Sequence, residues 1–181
     1  MLDGATKSFT QAYNAQAAVD GHAQVIVACG VTQAATDVEQ LVPMVERVVQ
    51  ALGQAPTALL ADAGYFSEAN LAAPMVAGLD VYVPPDRLKH RAAGAVPQPP
   101  PRIQSAVAVH MREKLATLAG RSVYALRKTI VEPVFGQIKE IRGFRRFSLR
   151  GAPKVTAEWR LICLTHNLLK LFGARGAMQA A

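Results

Sequence analysis

Apolar and polar positions form short runs along the first half of the chain. Two β-type runs, 13–19 and 24–31, flank the segment Asp20–His22, where an Asp-Gly pair tolerates the positive φ of a hairpin turn. Further predicted elements are a helix over 38–52, a strand at Leu59–Leu60, a helix over Ser67–Ala77 and an apolar run from Leu79. This order predicts an α/β fold in which helices cover a central sheet.

The helix predicted over 38–52 carries signals at both ends. Asp37 and Gln40 have the spacing of a capping box, and Gly53 is a typical stop. Pro43 favours a kink or a start later than Asp37, because proline is tolerated only in the first helical turn.

The second half of the chain has a helical pattern after a proline-rich stretch. The predicted units are a sheet-and-helix part at 1–91, a Pro-rich loop at 92–105, a basic helical part at 106–173 and a tail at 174–181. The helices of the basic part are expected at Val107–Leu118 (ending at Gly120), around Glu132, and at Pro153–Phe172.

The composition argues against a membrane-spanning or secreted protein. No apolar run approaches the ~20 residues that span a bilayer, and no secretory leader is recognisable, so we expect a cytoplasmic protein.

Cys29 and Cys163 lack metal spacing and are interpreted as buried thiols in a reducing compartment, with a disulfide as the less favoured interpretation. The net charge of +7 is uneven, with 2 Lys/Arg and 9 Asp/Glu up to Asp86 but 18 Lys/Arg and 4 Glu beyond it. This basic half favours a polyanionic partner, although a solvated basic face is the simpler interpretation.

Asp62 is the first candidate for chemistry. It follows the apolar run Ala58–Ala61, and ligands of open α/β sheets bind beyond the carboxyl ends of strands. The alternative is an aspartate that only caps the following turn, next to Gly64.

Glu132 is the second candidate. Pro133 follows it, which predicts that Glu132 stands near a helix start. Val134, Ile138 and Ile141 then form the core-facing stripe, with Glu132 and Lys139 on the opposite side. The alternative is a helix-start glutamate favoured by the dipole, with Lys139 merely solvated.

Together these carboxylates suit a hard divalent cation. Mg²⁺ or Mn²⁺ accepts carboxylate ligands, and a pair of such ions can activate water and stabilise the leaving oxygen of a phosphodiester. The basic half would bind the phosphates, and Phe144 and Phe147 either contact sugars and bases or pack beneath their loop. The candidate phosphate-binding residues are Arg127, Lys128, Lys139, Arg142, Arg145, Arg146 and Arg150. The histidines are scattered, and His166 in its apolar helix is interpreted as a packed residue.

Four stretches resemble the C-terminal part of bacterial insertion-sequence transposases of the DDE type. They are "QAYNAQAAVD", "ADAGYFSEANL", "GRSVYALRKTIVEPVFGQIKEIRGFRRFSLRG" and "AEWRLICLTHNLLKL". The resemblance implies a ribonuclease H-like mixed sheet flanked by helices, and Mg²⁺-dependent cleavage and strand transfer of DNA. It also implies that Asp62 is the second acid of the catalytic triad and Glu132 the third.

The resemblance further implies DNA contacts around Glu132. Tyr124 and Lys139 match family positions, while the basic position falls on Arg127, which keeps its distance from Tyr124, or on Lys128, which keeps its distance from Glu132. The expected partners are transposon ends and target DNA at the nucleoid, with a second copy or a full-length transposase as a protein partner.

One departure from the family concerns its first aspartate. Only 12 residues precede Tyr13, so Asp3 stands too close to it for a complete preceding strand, and Asp20 belongs to the turn. We therefore expect an N-terminally truncated transposase that lacks the first strand and one metal ligand and has little activity alone. The alternative is a non-catalytic DNA-binding or interaction module.

Overall fold

The structure is a computed structural model that describes residues 12–86 and 105–179. Its first element is a β-hairpin of β1 (Asn14–Val19) and β2 (Ile26–Thr32), paired antiparallel with Asn14 opposite Thr32. The Asp20 carboxylate accepts hydrogen bonds from the backbone of His22 and Ala23 and thereby closes the turn. The predicted hairpin is confirmed.

The first helix begins late, as Pro43 predicts. A 3₁₀ turn, Val38–Gln40, precedes α1 (Leu41–Leu52), so Pro43 lies in the first α-helical turn. Gly53 ends the helix at φ 70°, which glycine adopts without strain. The predicted capping box is wrong, because the Asp37 side chain makes no cap hydrogen bond.

Two short parallel strands follow, β3 (Ala58–Leu60) and β4 (Asp80–Tyr82). Their crossover contains a 3₁₀ helix (Ala63–Tyr65), α2 (Glu68–Ala72) and α3 (Pro74–Ala77), since the helix predicted from Ser67 breaks before Pro74. Within the described ranges the strands form two separate two-stranded sheets. The α/β class is confirmed, whereas a single ribonuclease H-like sheet stays a prediction.

Residues 105–179 contain three long helices. They are α4 (Ala106–Ala116), α5 (Leu118–Gly136), which continues as a π-helix (Gln137–Ile141), and α6 (Ala152–Gln179). Gly120 is no helix stop, because it lies in the first turn of α5. There, an added Cβ would lie 2.0 Å from the Lys114 carbonyl oxygen, so only glycine fits the corner between α4 and α5. Most of the predicted loop 92–105 lies outside the described residues, as does Asp3.

Glu132 does not stand at a helix start, and that prediction is wrong. Pro133 lies fifteen residues into α5. Since proline has no N–H, the Thr129 carbonyl oxygen lacks its helical donor, and the Gln24 side-chain amide donates to it instead at 2.8 Å. The hairpin turn therefore supports the proline inside the helix.

Among the residues that the structure describes, the buried side chains form three clusters. One joins α1, α3, β4 and α4; the second joins the hairpin to α5 and α6; the third joins β2 to α1. Val134 and Ile138 are buried in the second cluster, as the predicted stripe requires, but Ile141 is 81% exposed. The change to π-helical winding at Gln137 rotates Ile141 out of the stripe.

Candidate functional site: an acid pair beside a basic groove

Asp62 stands where the sequence predicts it, directly beyond β3. Its side chain is exposed and accepts a hydrogen bond from the backbone N–H of Gly64 at 2.8 Å. It is also the N-cap of the 3₁₀ helix Ala63–Tyr65. The capping interpretation is therefore correct, and the same hydrogen bond fixes the direction of the carboxylate, which is what a ligand site requires.

A second carboxylate, Asp37, faces Asp62 across Gly64. A Cβ atom added to Gly64 would lie 3.0 Å from Asp62 Oδ1 and 3.2 Å from Asp37 Oδ2. Both distances are measured from the same point, so the two carboxylate oxygens can be no further apart than these two distances added together. Both carboxylates contribute to the raised pKa of Tyr65, whose main cause is burial of the phenol. The sequence reasoning missed Asp37 as a site residue.

Polar residues from the hairpin hold Asp37. Its Oδ1 atom accepts from the side-chain amides of Asn14 (2.5 Å) and Gln16 (2.8 Å). Gln16 is buried, and it accepts the hydroxyl hydrogen of Tyr65. Asn70 donates to the carbonyl oxygens of Tyr65 (2.9 Å) and Val38 (2.5 Å), which joins the two loops that carry the acids. The pair is thus held by a connected hydrogen-bond network.

The N-terminal half of α5 lies close to Asp62. Burial raises the pKa of Tyr124, the Asp62 charge adds to this, and Arg127 opposes it. The Arg127 guanidinium also lies over the Tyr124 ring, 5.7 Å from its centroid. Tyr124 and Arg127 are therefore in contact, and Tyr124 is near enough to Asp62 for that charge to affect its pKa. Lys128 is exposed on the same helix. Glu132, about two turns beyond Tyr124, is exposed as well.

An open groove of about 1470 Å³ lies on the other side of Asn14. Its walls contain both aromatic and basic side chains. Its basic residues are Lys139, Arg145, Arg146 and Arg150, and its aromatic residues are Tyr13, Phe135, Phe144, Phe147 and Trp159. Asn14 both lines the groove and donates to Asp37, so it links the groove wall to the acid pair.

The predicted phosphate-binding residues have different surroundings. Lys139 lies over the Phe135 ring, 5.4 Å from its centroid, and Arg145 pairs with Glu140. Arg142 instead reaches α6, where it donates to the Ile162 carbonyl oxygen at 3.1 Å and to the Thr165 hydroxyl. Arg142 therefore joins two helices.

The two phenylalanines also differ. Phe144 is 41% exposed at the groove, with the Arg142 guanidinium 4.9 Å from its ring centroid. Phe147 packs edge-on against Trp159 and Tyr13, which is the packed alternative considered above.

The acid pair fits one hard cation better than a three-acid cluster. Mg²⁺ is commonly held by one or two carboxylates, while waters and substrate phosphates complete its octahedral shell. Asp37 and Asp62 supply such carboxylates from fixed positions. In the part of the chain that the structure describes, no group of three or more His, Cys, Asp or Glu side chains is arranged to hold a metal.

The basic side chains of the groove favour a polyanionic partner. Comparison with protein families agrees, since residues 97–172 match the family model of the transposase DDE domain. The match covers less than half of the chain, and over that segment it confirms the resemblance to DDE-type transposases. No curated protein and no solved structure matches the chain. None of the described helices is long and apolar enough to cross a membrane.

Proposed function

We propose that this chain provides the acid site and the DNA groove of a DDE-type transposase. The observation that carries the proposal is that Asn14, a residue of the basic groove, also binds Asp37, which lies beside Asp62. The family match over 97–172 supports DNA as the polyanion. The proposed substrate is therefore a DNA phosphodiester whose strand follows the groove towards the acid pair.

In this proposal each part of the site has its own task. Lys139, Arg146 and Arg150 bind successive backbone phosphates, and Phe144 offers a ring to a sugar or base. Asp37 and Asp62 would hold Mg²⁺ or Mn²⁺, which when bound supplies an activated water or hydroxyl and stabilises the leaving oxygen. Asn14 and Gln16 keep Asp37 oriented through their amide N–H groups.

Glu132 enters the proposal as the third acid that the family resemblance implies. The α5 helix approaches Asp62 at Tyr124, and Glu132 lies eight residues along the same helix, about 12 Å further along its axis. A bound DNA strand that bends α5 or the loop of Asp62 would bring Glu132 towards the ion. We keep Glu132 as a proposed ligand and Tyr124, Arg127 and Lys128 as proposed DNA contacts.

A plasmid assay tests the proposal. Purified protein is incubated with Mn²⁺ and supercoiled plasmid carrying the DNA that flanks the gene, and nicked and linear products are measured. We expect weak cleavage that EDTA, Asp62→Asn and Asp37→Asn each abolish, and that Glu46→Gln, an exposed acid on α1, leaves unchanged. Cleavage that survives Asp62→Asn contradicts the proposal.

A second candidate function is a non-catalytic DNA-binding module. It is favoured by the lack of a three-acid group among the described residues. It predicts DNA binding through the groove that is independent of Mn²⁺ and of Asp62→Asn, with no cleavage of the plasmid. Anisotropy titrations with a random-sequence duplex of roughly 30 base pairs, run beside the cleavage assay, separate the two functions.

A further inference from the structure

The two cysteines meet where the hairpin packs against the last helix. β2 and α6 run past one another, and the Asn167 side chain binds both the N–H and the carbonyl of Ile26 at 2.8 Å. About one helical turn back towards the start of α6, and three residues further along β2, Cys29 packs against the buried cluster that contains Cys163. Both thiols are free in this structure.

The two thiols have unequal surroundings. Cys163 is buried in the cluster that joins the hairpin to α5 and α6, whereas Cys29 is half-buried at its edge. Arg47 lies against Gly30 and donates to the Cys29 carbonyl oxygen, and the charges of Arg160 and Arg47 favour a thiolate at Cys29. A more accessible thiol near cations, next to a buried second thiol, is the usual arrangement of redox-sensitive pairs.

The pKa values point the same way as the geometry. The hydrogen bond from Cys163 lowers the pKa of Cys29 to about 7, while the same bond and burial raise the pKa of Cys163. The more exposed thiol, Cys29, would therefore act as the nucleophile, and buried Cys163 would resolve the adduct.

We propose that Cys29 and Cys163 form a redox-responsive pair, which a low-molecular-weight disulfide such as oxidised glutathione converts into an intramolecular disulfide. This inference does not depend on the proposed function, because it concerns the contact between β2 and α6 and not the acid site.

The reaction balances in two exchanges. The Cys29 thiolate attacks one sulfur of the small disulfide, forms a mixed disulfide and releases one thiolate, which takes up a proton. Cys163 then loses its proton and attacks the Cys29 sulfur, which breaks the mixed disulfide and releases the second small thiol. Two protein thiols are oxidised and one small disulfide is reduced to two thiols.

The disulfide would fasten the hairpin to α6. Asn14 and Gln16, which hold Asp37, belong to the same hairpin, so the bond would also restrain the support of the acid pair. It would close a loop of more than 100 residues between Cys29 and Cys163. Long closed loops restrict the unfolded chain most, so we expect the oxidised protein to melt roughly 5–10 °C higher than the reduced one.

Peptide mapping tests the proposal on the full chain. The reduced, desalted protein is treated with oxidised glutathione, the remaining thiols are alkylated, and the digest is analysed by mass spectrometry without reduction. We expect a monomer that has lost two hydrogens and contains a Cys29–Cys163 linked peptide. Thiols that are both still alkylated, or links between two chains only, would overturn the proposal.

The single variants test the unequal roles. Cys163→Ser should stop at a stable glutathione adduct on Cys29, and Cys29→Ser should react at least tenfold more slowly, because Cys163 is buried. Equal rates in the two variants would overturn the assignment of nucleophile and resolving thiol. A wild-type control in urea should link at least tenfold more slowly than the folded protein. An equal linking rate in urea would mean that the fold does not bring the two thiols together, and would overturn the proposal. This comparison uses only the wild-type protein, so it stays decisive even if a variant fails to fold.

Discussion

Asp37 and Asp62 face one another across Gly64, although 25 positions separate them in the chain. The glycine leaves the space between them open, and each carboxylate is fixed by its own hydrogen bonds: Asp62 by the Gly64 N–H, and Asp37 by Asn14 and Gln16. Two like charges held this close repel each other, and a cation bound between them would relieve that repulsion.

The alkaline limit of stability should depend on Tyr65. Burial and the charges of Asp37 and Asp62 hold the pKa of Tyr65 above its usual value near 10. The folded pKa is raised, so the neutral phenol's contribution is fully present below about pH 10 and is lost as the pH rises above it. Urea unfolding at pH 8 and pH 11 should show a smaller loss of stability in Tyr65→Phe than in the wild type. An equal loss in both proteins contradicts this environment for Tyr65.

Two glycines of α5 should respond to alanine in opposite directions. Gly120→Ala places a Cβ 2.0 Å from the Lys114 carbonyl oxygen and should destabilise the protein by about 1–3 kcal/mol. Gly136→Ala meets nothing within 4 Å and should stabilise by about 0.5–1 kcal/mol, because alanine loses less backbone entropy in a helix. Thermal or urea unfolding of both variants measures the difference. The same sign for both would contradict the close corner between α4 and α5.

Two isoleucines three residues apart should differ strongly in how much their substitution by alanine lowers the free energy of unfolding. Ile138 is 1% exposed, and Ile138→Ala should cost about 2–5 kcal/mol of unfolding free energy. Ile141 is 81% exposed, and Ile141→Ala should stay within about 0.5 kcal/mol of the wild type. Urea titrations give both values. A large loss for Ile141→Ala would restore the regular helical stripe that the sequence predicts and refute the π-helical turn.

Alanine substitutions at two arginines should have different effects: one on stability and the other on DNA binding. Arg142→Ala removes two hydrogen bonds to α6 and should lower stability by about 1–3 kcal/mol. Arg146→Ala should leave stability unchanged and reduce the slope of log affinity against log salt by about 0.9, the loss of one phosphate contact. Arg175→Ala, outside the groove, is the matched control. Duplex-binding titrations at several salt concentrations, with parallel melting curves, measure both effects, and an unchanged slope for Arg146→Ala contradicts a DNA groove.

Local signals in the sequence predicted much of the fold. The Asp20 turn, the late start of α1 at Pro43 and the stop at Gly53 follow from residues within a few positions of each feature. The position of Glu132 was mispredicted for a physical reason: the donor that supports Pro133 inside α5 is Gln24, more than 100 positions away, and no local pattern reveals it.

The candidate site was likewise predictable only where the residues that shape it are neighbours in sequence. Asp62 was predicted because its strand and its turn are neighbours in sequence. Asp37 resembles a helix cap in its own segment, and its actual partners, Asn14 and Gln16, come from a strand about twenty positions earlier. The only available signal was the short polar stretch Asn14–Gln16 inside a β-type run, where amides on one face need a partner.

Titration of Mn²⁺ into the protein by isothermal calorimetry tests the central claim most directly. We predict one site in the wild type, weakened about tenfold or more by Asp37→Asn and by Asp62→Asn and unchanged by Glu46→Gln, with Glu132→Gln measured alongside to show whether that acid shares the ion. Binding that neither aspartate variant changes would contradict an acid pair built to hold a divalent cation.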